Sequence, residues 1–61
     1  MLEGYDDILT AEEACEALRI GKNALYALLL NKQLKGYRNG RVWRIPKQSL
    51  IEFVLSQASL Q

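Results

Sequence analysis

The sequence predicts a small α+β fold: a helix, a turn and a second helix, then a two-stranded β-hairpin and a C-terminal helix. Three observations predict it: a helix-capping pattern at Thr10, an Asn39-Gly40 pair between two β-prone runs, and Pro46 directly before a last apolar segment. A chain of 61 residues has room for one domain. Because such a chain buries only about 60% of the surface that its unfolded form exposes, the core has to draw on every element.

The first helix is predicted to begin after Thr10. The run Thr10-Ala11-Glu12-Glu13 has the spacing of a capping box, in which the Thr10 hydroxyl accepts from the amide of Glu13 and the Glu13 carboxylate accepts from the amide of Thr10. Acidic residues in the first turn also suit the positive end of the helix dipole. Residues 1–7 come before this helix and are predicted to form a loose acidic N-terminal arm.

A second helix is predicted from about Lys22 to Lys32. Arg19-Ile20-Gly21 has the length of the turn between two helices of a helix-turn-helix unit, and Gly21 is an acceptable N-cap. The segment after it is rich in Leu and Ala, which are good helix formers. Its inner face is predicted to consist of Leu25, Leu28 and Leu29.

A β-hairpin is predicted next, from two runs at residues 34–38 and 41–45 that flank Asn39-Gly40. This pair favours a type I′ turn, because that turn needs positive φ at both central residues. Trp43 and Ile45 alternate with polar or exposed positions, so one face of the second strand is expected to pack inward, with Trp43 in the core under the hairpin.

The last helix is predicted to run from about Lys47 to Gln57. Pro46 ends the strand and suits the first turn of a helix. Residues 8–58 are therefore predicted to form the domain, and residues 59–61 a C-terminal tail that frays.

Composition excludes most catalytic and metal chemistry. The chain has no histidine and one cysteine, Cys15, so a four-ligand zinc site, an internal disulfide and any imidazole-dependent mechanism are ruled out. We therefore expect a protein that is not an enzyme and that has no cofactor and no metal. No apolar stretch approaches the roughly 18 residues of a membrane span, and the acidic N-terminus does not resemble a secretory signal. These features predict a cytoplasmic protein with no membrane partner.

The charges are segregated along the chain, although the net charge is only +1. Residues 1–18 hold six acids and no base, and residues 19–47 hold all eight bases and no acid. Such segregation gives a molecule one basic flank, which indicates a polyanionic partner such as nucleic acid.

The residues resemble a known family at this point. The resemblance is carried by the segment 9–15 (LTAEEAC), by Leu25-Tyr26 and by the block 37–47 (YRNGRVWRIPK), and it covers roughly residues 8–55. These residues look like the winged helix-turn-helix of excisionase-family DNA-binding domains, which are relatives of the DNA-binding domains of MerR-type regulators. Arg19 and Lys32 stand at helix ends where the family commonly has glycine, so the two turns are expected to differ in detail.

The resemblance implies a winged helix-turn-helix domain on double-stranded DNA, with the second helix in the major groove and the hairpin wing on the backbone or minor groove. Excisionases bend DNA at the attachment sites of mobile elements and direct an integrase towards excision. MerR-type regulators carry a dimerisation helix and an effector domain that this sequence does not contain. We therefore expect an accessory factor in recombination, DNA-associated in a bacterial or phage-infected cell, with an integrase or neighbouring copies of itself as further partners.

The resemblance also implies the candidate DNA contacts. At the start of the second helix, Asn23 is expected to pair with adenine and Lys22 to contact guanine or a phosphate. Tyr26 is expected to reach a phosphate, and Arg41 the minor groove or a phosphate. Ala27 lies on the same helix face at a position that is often basic or polar in the family. The full set of predicted DNA-binding residues is Lys22, Asn23, Tyr26, Ala27, Arg38, Asn39, Arg41, Arg44 and Lys47.

Two alternatives keep the same fold. The chain would be a protein-interaction module if Leu30, Ile51 and Leu55 formed an exposed apolar patch. It would be a small transcriptional repressor of a phage or plasmid if its DNA site were an operator. The sequence does not separate repression from excision, because the DNA-reading surface would be the same.

Overall fold

The computed structural model describes residues 2–58. The order of the elements confirms the predicted α+β fold class of a winged helix-turn-helix. The predicted tail at residues 59–61 lies outside the described residues. In chain order the elements are β1 (Ile8–Thr10), α1 (Ala11–Leu18), α2 (Lys22–Leu30), β2 (Tyr37–Asn39), β3 (Val42–Pro46) and α3 (Lys47–Ala58).

The sheet has a third strand that the sequence analysis did not predict. Its strands are antiparallel in the order β1-β3-β2, so the hairpin strand β3 lies in the centre. Leu9 of β1 is opposite Ile45 of β3, and both side chains are fully buried. Three residues are too few for the alternation of apolar and polar positions to identify a strand. In the sequence, Ile8 and Leu9 therefore look only like the approach to the first helix.

The hairpin turn lies one residue later than predicted. Asn39 is paired with Val42, so the two central residues of the turn are Gly40 and Arg41 rather than Asn39 and Gly40. Of these two, only Gly40 has a positive φ, of 70°. Positive φ at the first central residue alone fits a type II′ turn, so the predicted type I′ turn is wrong.

The core is formed by apolar side chains from all three helices, from β1 and β3, and from the loop before β2. Within residues 2–58, no polar or charged residue is classed as buried. Gly36 lets that loop pass close to α2, because a Cβ atom there would lie 3.0 Å from Leu29 Cδ2 and 3.2 Å from the Arg44 carbonyl oxygen. The buried residues are Leu9, Ala11, Ala14, Leu25, Leu29, Leu34, Ile45 and Leu50.

The ends of α1 follow the sequence pattern closely. The predicted capping box is present: the Glu13 amide donates to Thr10 Oγ1 at 3.1 Å, and the Thr10 amide donates to Glu13 Oε1 at 3.0 Å. At the other end, Arg19 adopts the left-handed backbone with φ 58°, and Lys32 does so after α2 with φ 66°. A residue with a side chain loses about 1 kcal/mol of stability in this conformation. The C-terminal ends of α1 and α2 therefore both use the backbone geometry that glycine favours.

The N-terminal arm is not loose. Leu2 and Tyr5 pack against the core, and the Tyr5 hydroxyl donates to Glu16 Oε1 at 2.9 Å. The hydrogen bond to the Glu16 carboxylate raises the pKa of Tyr5. Lys47 Nζ donates to the Tyr5 carbonyl oxygen at 3.1 Å. Residues 2–7 are therefore held to both α1 and α3.

We expect Thr10→Ala to lower the free energy of unfolding by about 1 kcal/mol, because the amide of Glu13 loses its side-chain acceptor. Urea unfolding followed by circular dichroism measures the change. Thr10→Ser keeps the hydroxyl and is expected to stay within a few tenths of a kcal/mol of the parent chain. Equal loss in both variants would contradict a capping role and point to the β1 pairing instead.

Candidate nucleic-acid interface

The start of α2 is exposed and has no acidic residue in its first turn. Gly21 is the N-cap, with an extended backbone and no side chain to bond the first amides of the helix. Lys22 and Asn23 follow it and are both exposed, as the sequence predicts for the start of this helix. The helix dipole adds partial positive charge at this end. This end of α2 thus presents hydrogen-bond donors and the positive end of the helix dipole at the surface.

Lys22 is paired with an acid of α1. Its Nζ atom donates to Glu12 Oε2 at 3.1 Å, and both side chains remain more than half exposed. The hydrogen bond to Glu12 raises the pKa of Lys22. The pKa of Glu12 is lowered first by a hydrogen bond from its own backbone amide and then by Lys22. In the sequence, Glu12 indicates only a favourable charge at the start of α1, because its contact with Lys22 depends on how two helices meet.

An open groove of about 390 Å³ lies between α2 and the hairpin, and we call it the helix–wing groove. Tyr26 and Leu30 line it from α2, and Arg38, Arg41 and Trp43 line it from the hairpin. Three of the predicted DNA-binding residues, separated by up to 15 positions in sequence, therefore meet around one concave surface.

The register of the hairpin separates two of the predicted arginines. Arg38 is opposite Trp43, whereas Arg44 is opposite Tyr37 on one side and Thr10 on the other. Residues directly opposite each other in an antiparallel pair share a face of the sheet. Arg38 thus lies on the Trp43 face, beside the helix–wing groove, and Arg44 lies on the reverse face.

Trp43 has two roles in the packing. It is half-buried against the core, as predicted, but it also forms part of the wall of the helix–wing groove. Leu30 beside it is 74% exposed. A second groove of about 450 Å³ shares Leu30, Arg38 and Trp43 with the first and adds Lys32 and Lys35. The two grooves form one continuous surface with apolar walls and several cations.

The remaining predicted DNA-binding residues, Ala27, Asn39 and Lys47, are not among the residues that line the helix–wing groove. Ala27 is exposed on α2, and Asn39 is exposed at the end of β2. Lys47 is half-buried, and both its ammonium group and its amide are bonded to the arm: Nζ to the Tyr5 carbonyl and the amide to the Asp7 carbonyl at 2.7 Å. In this structure Lys47 therefore fastens the arm to the start of α3.

No cluster of three or more potential metal ligands occurs among residues 2–58. None of the helices in that part of the chain has the length and apolarity that a membrane span requires.

We expect Lys47→Met to lower the free energy of unfolding by about 1 kcal/mol, because it removes a charged donor from the Tyr5 carbonyl but keeps the apolar stem. Urea unfolding measures the effect. The matched control is Lys35→Met on the exposed loop, which is expected to change stability by less than about 0.5 kcal/mol. Equal urea-unfolding midpoints for the two variants would show that the hydrogen bond to Tyr5 contributes nothing to stability. Lys47 would then be available for another partner.

Two comparisons with known proteins agree with this geometry. A helix-turn-helix domain family matches residues 8–58. A protein named "Probable excisionase" from Saccharopolyspora erythraea is 35% identical over 46 residues, which are 75% of this chain and 47% of that protein. The chain thus spans about half the length of this curated relative. No solved structure shows significant similarity. The matches confirm the resemblance to excisionase-family domains, and the chain belongs to the helix-turn-helix domain family.

Proposed function

We propose that the chain binds duplex DNA with α2 in the major groove and the hairpin wing on the neighbouring backbone or minor groove. The main support is the helix–wing groove, where Arg38, Arg41 and Tyr26 line one concave surface beside the exposed face of α2. Family membership supports the same reading, because helix-turn-helix units place their second helix in the major groove.

The chemistry of the groove suits a phosphate backbone. A guanidinium group presents several donors in a plane and pairs with phosphate oxygens through two parallel hydrogen bonds. The Tyr26 hydroxyl adds a neutral donor from α2, on the opposite wall from Arg38 and Arg41. Leu30 and Trp43 add apolar surface to the same groove. We infer that one DNA strand lies along this groove.

Base recognition is assigned to the exposed face of α2. Asn23 offers the amide that pairs with both N6 and N7 of adenine, and Lys22 offers the ammonium that donates to O6 and N7 of guanine. Ala27 lies one turn after Asn23 and is exposed, so its small side chain allows the helix to approach the bases closely.

We propose further that this binding serves an excisionase-like role, in which the chain is a non-catalytic accessory factor that bends DNA at the attachment sites of a mobile element. The support is the similarity to a protein named "Probable excisionase". The chain spans about half the length of that protein. We propose an integrase or neighbouring copies of the chain as further partners, and a cytoplasmic location. Bending a site of 20–30 base pairs by 40–90° costs about 1–6 kcal/mol, which contacts from both α2 and the wing would offset.

The alternative of a protein-interaction module has less support. Leu30, which would lead the apolar patch, lines the same groove as Arg38 and Arg41. The other two residues of that patch, Ile51 and Leu55, belong to α3. The surroundings of Leu30 therefore favour an anionic partner over an apolar one.

We expect the chain to bind labelled random duplex DNA in a fluorescence anisotropy titration. If four to six phosphates are neutralised, the logarithm of the affinity should fall with the logarithm of the salt concentration with a slope of about −4 to −5. Arg38→Ala and Arg41→Ala should each make the slope shallower by about 0.9, because each removes one phosphate contact.

The control is Arg44→Ala, which removes the same charge from the reverse face of the sheet. We expect it to leave the slope within about 0.3 of the parent value, since surface charges away from the contact are screened by salt. Equal effects of Arg38→Ala and Arg44→Ala would contradict the assignment of the groove. Absence of binding at the lowest salt would remove DNA as the partner.

A further inference from the structure

The contact between Glu12 and Lys22 places an acid at the start of the proposed recognition helix. Glu12 is the second residue of α1 and Lys22 is the first residue of α2. The capping box fixes where α1 begins, and the turn at residues 19–21 brings the start of α2 beside it. The two charged atoms are 3.1 Å apart, and both side chains are exposed enough to meet a ligand together.

For a phosphate, this pair is a poor partner. A phosphate that approached Lys22 Nζ would also come within a few ångströms of the Glu12 carboxylate, well inside the Debye length of about 10 Å at 0.1 M salt. The attraction of the ammonium and the repulsion of the carboxylate then largely cancel. Lys22 therefore contributes little to binding that depends only on the backbone.

For a base pair in the major groove, the same two groups are complementary to G·C. Guanine presents two adjacent acceptors, O6 and N7, and cytosine presents the N4 amino donor beside them. An ammonium can donate to both guanine acceptors while a neighbouring carboxylate accepts from cytosine N4. An A·T pair presents an acceptor, a donor and an acceptor in turn. An ammonium therefore finds no two adjacent acceptors on an A·T pair.

We propose that Glu12 is a specificity-determining residue: the Glu12–Lys22 pair reads one G·C base pair as a unit and keeps Lys22 from the phosphates of other sequences. The inference rests on the proposed binding of duplex DNA. It concerns the start of α2 and not the helix–wing groove, so it is tested with different residues.

The first test uses random duplex DNA and fluorescence anisotropy. Glu12→Gln should bind about fivefold more tightly at low salt and steepen the salt slope by about 0.9, because Lys22 is released to a phosphate. In a Lys22→Gln background the same change should not steepen the salt slope, because no ammonium is released to a phosphate. The matched control is Glu52→Gln, which removes an equal charge from α3. Circular dichroism checks that each variant is folded. We expect Glu12→Gln to fold, because Glu12 is exposed and lies outside the core.

The second test selects binding sites from a pool of randomised duplexes. The parent chain should enrich sites with one position fixed as G·C. Selection with Glu12→Gln should leave that position degenerate and the preferences at the other positions unchanged. Selection with Lys22→Gln should remove the preference for G·C at the same position. A merely structural role of Glu12 would weaken every position together.

The inference is overturned if Glu12→Gln and Glu52→Gln change the affinity for random duplex equally, or if Glu12→Gln selects the same sites as the parent chain. Failure of the proposed function gives a different result. In that case the parent chain itself does not bind duplex DNA at the lowest salt, and the inference falls with it.

Discussion

The structure depends on the pairing of β1 with β3, in which Leu9 meets Ile45 at the centre of the core. Thr10 is both the last residue of β1 and the N-cap of α1, so the strand pairing fixes where the first helix starts and which way it points. Because a domain of this size buries little apolar surface, each of these two short elements relies on the other. A helix of eight residues is marginal in isolation, and its capping box and its strand-anchored start compensate for that.

Strand β3 also positions the residues of the candidate interface. Residues of β3 alternate between the two faces of the sheet, and Ile45 and Trp43 fall on the same face two positions apart. Ile45 fills the core, and Trp43 lies at its edge as a wall of the helix–wing groove. The position of Arg38 follows from its pairing with Trp43. The groove is therefore a consequence of hairpin register, and a shift by one residue would move Arg38 to the reverse face.

Much of the fold could be predicted from short-range patterns, because a capping box, a turn glycine and a proline before a helix each act over a few residues. The same local patterns could not identify β1, whose three residues are defined only by their partner strand. They placed the hairpin correctly but not its turn, because Asn39 favours a turn position and cross-strand pairing with Val42 overrides that preference. In the site, Tyr26, Arg38 and Arg41 were predicted as contacts, whereas the Glu12 contact spans a turn and depends on how two helices meet.

For the proposed binding of DNA, the distribution of cations matters more than the net charge of +1. Within residues 2–58, Lys22 is engaged by Glu12 and Lys47 by the Tyr5 carbonyl. Arg38 and Arg41 instead line an open concave surface. Electric field lines concentrate in such a cleft, so the proposed attraction of phosphate to these two arginines would be stronger than on a flat surface. In the proposed complex the fold would thus separate two tasks: the wing side would attract the DNA backbone, and the charge-balanced pair at the start of α2 would read bases.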